Sequence, residues 1–506
     1  MTAQTSNDKL FDRTLIGVSV VVVLGTVMSI LDSTIVNVAI DTLSREFNTS
    51  LATIQWVTTG YMLALATVIP LTGWAADRFG TKRLYMISIG LFLAGSALSG
   101  AAWSAESLIV FRVLQGLGGG MLMPAGMTIL TRAAGPERVG RVMSIVGVPM
   151  LLGPVVGPVL GGWLVDDVSW RWIFYVNIPI GAIAVAAALR LLPRDEPAAH
   201  ERLDWLGLLL LSPGLTAFVY GLAETASSGG LGSAKALVPM IAGLALVGLF
   251  ARHALRHAWP LIDVRLFRAR AMSAASATTF MLAAAMFAAM FLLPLYYQVV
   301  RGESALHAGL LLAPQGVGAA LMMPIAGKLT DQAGPGKVVL GGLSFMFLAM
   351  LGFTQVGAHT SLWRLGGCQF LMGLGMGASM MPSMTAAYQT LQRAQVARAT
   401  TALNILQRVG GSVGVALLSV VLAHQLSSNL GAGHANGGLQ AAQSVSPAAR
   451  EAVAPRIAEA FGHTFWWGIG LLVVAVVPAL LLPRRRPALP AAETHEPVPE
   501  AEAVVA

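Results

Sequence analysis

Apolar residues fill this chain in long blocks separated by short polar punctuation. Fourteen blocks can be read, at 14–38, 51–72, 84–102, 107–130, 140–164, 171–192, 204–223, 236–252, 271–298, 305–327, 338–357, 362–388, 400–424 and 464–482. Most approach the roughly 20 residues that a helix needs to cross about 30 Å of hydrocarbon. They are rich in Ala, Leu, Val and Gly and lack the strict alternation of strands. In lipid a helix satisfies its own backbone hydrogen bonds, so the pattern predicts an all-α membrane protein with fourteen spans. The first block does not read as a removable signal peptide. It is too long, Asp8 and Asp12 interrupt the basic flank, and it leads directly into further spans.

Composition agrees, with 56% hydrophobic and only 11% charged residues in 506, against about a quarter charged in soluble domains. A single cysteine, Cys368, excludes an internal disulfide and a cysteine-cluster metal site. The net charge of +8 could suggest a nucleic-acid partner, but the charges are placed by topology. With the N-terminus inside, Arg78, Lys82, Arg83, Arg132, Arg138, Arg141, Arg190, Arg265, Lys328, Lys337, Arg398 and Arg484 to Arg486 all fall inside. Outside remain Arg45, Arg171, Lys235, Arg301, Arg364, Arg450 and Arg456. Positive charge concentrates on the cytoplasmic side of membrane proteins, so both termini are expected in the cytoplasm of a bacterial-type plasma membrane. The expected surroundings are a lipid bilayer and no nucleic acid.

The chain also repeats itself. Pro70, Gly73, Asp77 and Gly80 recur in register as Pro324, Gly327, Asp331 and Gly334, and Lys337 answers Arg83. Gly116, Gly118 and Pro124 recur as Gly373, Gly375 and Pro382 with one inserted residue, and Arg141, Gly153 and Gly157 recur as Arg398, Gly410 and Gly414. Three matches in chain order predict two six-helix bundles, 14–192 and 271–482, joined by a linker, 193–270, that carries two additional spans. A tail at 1–13 precedes them, a Pro-, Ala- and Glu-rich disordered tail at 483–506 follows, and 427–462 reads as a long outer loop. Duplicated halves are the architecture of secondary transporters, whose site lies between them near the bilayer midplane.

Several motifs carry a family resemblance. Gly73-Trp-Ala-Ala-Asp-Arg-Phe-Gly-Thr-Lys-Arg83 resembles the cytoplasmic signature loop of the major facilitator superfamily, and Arg112-Val-Leu-Gln-Gly its Arg-x-x-Gln-Gly motif. Gly153-Pro154-Val-Val-Gly157-Pro158-Val-Leu-Gly161-Gly162 resembles the motif of its antiporters. Leu31-Asp-Ser-Thr-Ile-Val-Asn-Val-Ala39 and Trp170-Arg-Trp-Ile-Phe-Tyr-Val-Asn-Ile-Pro179 are similar to the fourteen-spanner drug:proton antiporters, the EmrB/QacA-like exporters. One position departs: Asp41 stands where that branch usually has a proline. The resemblance implies a proton-driven exporter of hydrophobic, often cationic molecules, a monomer without cofactor or metal. It leaves any accessory envelope protein unnamed.

The residues themselves allow more than one reading. Asp32 is the only acidic residue deep inside a predicted span. It is either the cap of a broken helix or a carboxylate whose neutral form burial favours, able to bind and release a proton. Ser33 and Asn37, one turn apart, could offer it hydrogen bonds on an adjacent face. Arg112 cannot lose its proton, so it either tunes Asp32 or builds a structural network. Asp77 and Arg78, with Gly73, Gly80, Lys82, Arg83 and the repeat counterpart Asp331, form either a surface loop or a gate that stabilises one closure of the halves. The Gly153 to Gly162 motif gives either close packing or a bent, sealed contact. Asn37, Tyr61, Gln115, Met123, Tyr296, Asn404, Gln407 and Arg408 are candidates for a substrate cavity.

Other classes fit less well. No Gly-x-x-x-x-Gly-Lys-Ser/Thr segment occurs, which disfavours a P-loop ATP-driven pump. His253 and His257 have helical spacing but no evident acidic third ligand, so neither a metal site nor an enzyme is expected. A narrow exporter of an endogenous lipid or secondary metabolite remains the alternative transporter, and a transporter-like sensor or scaffold the alternative class.

Overall fold

The computed structural model describes residues 13–134, 159–193, 202–227, 232–388, 395–430 and 447–483, with 142, 147, 153, 156, 157 and 391 between them. Among these residues there are helices and connections and no strand. The longer helices are α1 Arg13–Glu46, α2 Trp56–Val68, α3 Leu71–Phe79, α4 Thr81–Gly100, α5 Ala105–Ala134, α6 Asn177–Leu191, α7 Trp205–Ser227, α8 Ala234–Arg256, α9 Arg270–Val299, α10 Ala313–Ala333, α11 Pro335–Phe353, α12 Leu362–Tyr388, α13 Val396–Leu430 and α14 Pro447–Leu480.

Eleven described helices are long and apolar enough to cross a membrane, or twelve if α2 and α3, bent by 56°, are one span. The bend falls at Pro70, where the ring clashes with the preceding turn. α12 forms over the predicted 362–388 but is not among the eleven, and the fifth predicted span, 140–164, lies largely outside the described residues. The structure is therefore a multi-pass, all-helical membrane protein, with a described count below the predicted fourteen.

Within the first half α5 packs against α1, α2 and α4, and α6 packs on α1. In the second half α12 packs against α10 and α11, while α9 packs against α13 and α14. The hairpin of α7 and α8 leans through α7 on α2 and α13. Ser212 donates to the Thr67 carbonyl at 2.6 Å, and the hydroxyls of Thr67 and Thr216 lie 2.9 Å apart.

The repeat persists at the level of contacts. Gly80 (φ 86°, ψ 150°) and Gly334 (φ 88°, ψ 148°) share one left-handed conformation before α4 and α11, a region that penalises any Cβ. A side chain at Gly116 would strike Tyr61, and one at Gly373 would strike Gln315. Gly153 and Gly157 abut Ile30 and Thr34, while Gly410 and Gly414 abut Phe280 and Ala284. This last register pairs Asp32 with Leu282, and the Gly116–Gly373 match pairs Arg112 with Gln369. The first half thus holds two charges where the second holds none.

One expectation needs correction. The predicted loop 427–462 is shorter, because α13 continues to Leu430 and α14 already begins at Pro447. The Ala-rich segment after Pro447 has high helix propensity, and proline is tolerated in a first turn. α1 runs unbroken through Asp41 to Glu46, so the residue replacing the usual proline lets the helix continue. The tails at 1–12 and 484–506 lie outside the described residues.

Candidate functional site

Asp32 sits inside continuous α1 and caps nothing. Its carboxylate is wholly buried and accepts three hydrogen bonds from other helices. Arg112 Nη1 donates to Oδ2 at 2.7 Å, Gln115 Nε2 to Oδ1 at 2.7 Å, and Asn177 Nδ2 to Oδ1 at 3.1 Å. One acid therefore ties α1 to α5 and α6. Ser33 points elsewhere, its hydroxyl donating to the Ile30 carbonyl at 2.9 Å. The side chain of Asn37 lies outside the described residues.

Arg112 is equally buried, and its remaining contacts are all internal. Nη1 also donates to Gln115 Oε1 at 2.7 Å, and Nε to the Val57 carbonyl at 3.3 Å. Its guanidinium carbon lies 4.0 Å from the centre of the Tyr61 ring and 5.6 Å from that of Phe174. Two charges in a dry interior are tolerated when paired and hydrogen-bonded, whereas either alone is costly. Asn177 also donates to Ser96 Oγ at 3.0 Å, and the Ser96 hydroxyl donates to the Phe174 carbonyl at 2.8 Å. Arg112 Nη2 and Asn177 Oδ1 are buried without hydrogen-bond partners among the described residues. Asn177 and Ser96 were missing from the sequence-based candidates. Asn177 lies within the quoted Trp170 to Pro179 motif, and an amide in an apolar span was the available signal.

The glycine motif divides. Gly153, Gly157 and Gly161 recur every four residues and face Ile30, Thr34 and Ile35 of α1, around Asp32. Thr34 Oγ1 reaches the Gly153 carbonyl at 3.5 Å. A Cβ on Gly162 would meet nothing within 4 Å among the described residues, so Gly162 is not part of this contact, and Pro154 and Pro158 lie outside the described residues.

At the end of α3, Asp77 reaches both halves. Its Oδ1 accepts from Arg132 Nη2 at 3.0 Å, and Oδ2 lies 3.7 Å from Arg398 Nε on α13. A Cβ on Gly73 would come within 3.3 Å of the Arg398 backbone and 3.2 Å of Thr401 Oγ1. Gly147 likewise abuts Met323 and Met381 of the second half. The halves are therefore in contact at this end. Arg78 and Arg83 are exposed and stand apart from the contact, correcting their grouping with Asp77. Lys82 instead holds the last carbonyls of α6, Leu189 at 3.0 Å and Leu192 at 2.6 Å, within the first half. Asp331 occupies the matching place in the second half, and its repeat-related counterpart to Arg398, Arg141, lies outside the described residues.

The substrate candidates do not share one wall. Tyr61 and Gln115 belong to the buried network around Arg112. Tyr296 is buried and donates to the Gly357 carbonyl at 2.7 Å, a packing role. Asn404 is buried and donates to Thr400 within its own helix, Gln407 is buried, and Met123 and Arg408 are half-buried. A cavity of about 900 Å³ lies elsewhere, between α2, α5 and the α7–α8 hairpin. Its walls include Trp56, Leu63, Leu117, Met121, Pro213 and Tyr220, and none of the eight candidates. Burial of an aromatic or amide does not reveal from sequence which neighbour it meets, and here the neighbour was Arg112.

Comparison with known proteins agrees with this architecture. The family model described as Major Facilitator Superfamily matches residues 22–415. A multidrug resistance protein B homolog of Mycobacterium tuberculosis is 47% identical over 429 residues, 84% of this chain and 79% of that one. The multidrug export protein EmrB of Haemophilus influenzae is 31% identical over 398 residues, 78% of each chain. Among solved structures, the human organic anion transporter MFSD10 has a TM-score of 0.57 at 16% identity, covering 90% of this chain and 99% of that one. A bacterial homolog of the human lysosomal transporter Spinster has a TM-score of 0.55 at 16% identity, over 93% and 97%. At that identity the two structures speak for the fold alone. On the family match and the relatives' identity, the chain belongs to the major facilitator superfamily.

Proposed function

We infer that the protein is a proton-coupled exporter that moves hydrophobic, often cationic, small molecules out of the cytoplasm. The relatives named for multidrug resistance and export support the efflux part of this reading. The observation that carries the coupling part is the wholly buried Asp32, held by Arg112, Gln115 and Asn177 from two other helices. In its ionised form the carboxylate is matched by Arg112. A proton arriving from outside cancels that match, loosens the hold of α1 on α5 and α6, and leaves Arg112 to Gln115, the Val57 carbonyl and the Tyr61 ring. Two protonation states thereby prefer different packings, which is what alternating access driven by a gradient requires. The contact of Asp77 with Arg398 supports a cytoplasmic gate closed in the opposite phase.

In this reading the chain works as a monomer on fourteen spans in a bacterial cytoplasmic membrane, both termini inside, with no cofactor beyond the proton gradient. The test is substrate-evoked proton release from proteoliposomes at several pH values. Asp32→Asn should abolish coupled release while the protein still inserts. Undiminished coupled flux in that variant would place the proton site elsewhere.

A further inference from the structure

The acidic residue nearest to His253 and His257 in sequence, Asp263, is engaged with Arg265 N at 3.0 Å, but the fold brings a more distant carboxylate to the pair. Asp204 stands just before α7, and the packing of α7 on α8 sets it beside the last turn of α8. Asp204 Oδ1 lies 2.8 Å from His253 Nε2. The rings of His253 and His257 have centres 5.0 Å apart, and one ligand atom of each of the three residues lies within 4.8 Å of the other two. Asp204 is buried and both histidines are half-buried.

Part of this arrangement has a structural purpose. Asp204 Oδ1 accepts from Gly207 N at 2.8 Å, which caps α7, and Oδ2 accepts from Leu261 N at 3.3 Å. A cap requires neither histidine. His253 and His257 are one turn apart on one face of the helix end, and both converge on the capping carboxylate. A carboxylate offers about four lone-pair sites, so it can cap and coordinate together.

We propose that Asp204, His253 and His257 form a binding site for a zinc-class divalent cation at the inner end of the central hairpin. Two imidazoles and one carboxylate are a donor set that zinc accepts, with a fourth position left to water. Calcium and magnesium prefer all-oxygen cages, which this cluster does not offer. Metal bonds of about 2 Å set ligand atoms roughly 3.3 Å apart in a tetrahedron, so the Asp204–His253 pair opens slightly from 2.8 Å while His257 draws in. His257 can supply that movement, because it lies just past the helix with extended backbone (φ −80°, ψ 141°). Its Nδ1 accepts one exposed hydrogen bond, from Trp259 N at 3.1 Å, which ligation gives up. Arg265 Nη2 donates to the His257 carbonyl at 3.1 Å, so a cation nearby opposes binding and makes the Asp204 charge necessary. The adjoining residues Leu261, Ile262, Phe250 and Ala254 cluster with Ile69 of the first half and Ala402 of the second. An ion held here pins the joint between the hairpin and both halves.

The full chain, purified without a polyhistidine tag, is titrated with Co²⁺ followed by visible absorption, and with Zn²⁺ in competition. One equivalent should bind with a tetrahedral-type spectrum, displaced by Zn²⁺. His253→Gln, His257→Gln and Asp204→Asn should each weaken binding at least tenfold. Asn keeps the oxygen that caps Gly207 N but loses the acceptor for Leu261 N, so a modest drop in melting temperature without metal is expected, and retained cooperative melting separates lost coordination from lost fold. Should Asp204→Asn fail to fold, His257→Gln still decides, since its side chain takes no part in the cap. Absence of saturable binding, or wild-type affinity in His257→Gln, would reduce the cluster to a helix cap and overturn the proposal.

Discussion

At the scale of single residues, Asp32 and Arg112 pose a question that the repeat itself answers. The second half places Leu282 and Gln369 at the matching positions, so the fold tolerates this crossing without charge. The ion pair is then an addition to a packing that does not need it, as the proposed coupling role requires. Removing one member strands the other in a dry interior, which typically costs about 3–5 kcal/mol, whereas replacing both is often nearly neutral. Asp32→Leu and Arg112→Gln should each lower the melting temperature, and the double variant should recover most of the loss. Transport should be absent in all three. Melting curves of detergent-solubilised protein, set beside efflux assays, check this; a double variant less stable than both singles would contradict it. Asp32 was legible from sequence because a lone acid inside an apolar run demands an explanation. Its partners were not, because Gln115 lies 83 and Asn177 145 positions away in sequence. Only the crossing of three helices sets their donors against one carboxylate.

At the scale of elements, the glycine motif shows what sequence pattern conveys and what it omits. A four-residue stripe of small residues announces a close helix contact. It does not say which helix is met. The structure sets that contact on α1, where Gly153, Gly157 and Gly161 flank the turn bearing Asp32. Gly157→Val should therefore drive side-chain atoms into Thr34 and push α1 away from the fifth span. Overpacking of this kind costs typically 1–3 kcal/mol. Efflux should fall at least tenfold, while Gly162→Ala, with nothing within 4 Å, should transport as wild type. Whole-cell efflux of a fluorescent substrate, normalised to membrane expression, compares the two. Equal activity in both variants would dissolve the link between the stripe and the Asp32 turn. Helix ends were also only partly legible, because the hydropathy of a span stops at the bilayer whereas α1, α13 and α14 continue beyond their apolar blocks.

At the scale of the whole molecule, duplication was legible because Gly80 and Gly334 must both adopt a left-handed backbone that few other residues accept. How the two halves meet was not, since that depends on which cation reaches Asp77. Arg78, its neighbour in sequence, is exposed, while Arg398 arrives from the opposite half together with Arg132 from its own. Both ion pairs are largely buried, with Asp77 side-chain exposure of 11%, Arg132 20% and Arg398 15%, so they exceed an ordinary surface pair in weight. Asp77→Asn keeps the shape and removes the charge that joins the halves. A loss of about 1–2 kcal/mol shifts the balance between the two closures by roughly 5- to 30-fold. Thr401 reports this opening, since it is 1% exposed and lies against Gly73. In a background with Cys368→Ser, a Thr401→Cys probe should react faster with a polar maleimide when Asp77→Asn is present. Substrate affinity should change little, because Asp77 lies far along the span from the Asp32 network, and Arg78→Ala should leave the probe as slow as before. If Asp77→Asn instead abolished substrate binding with the probe still protected, the carboxylate would belong to the cargo site and the contact between halves would need another latch.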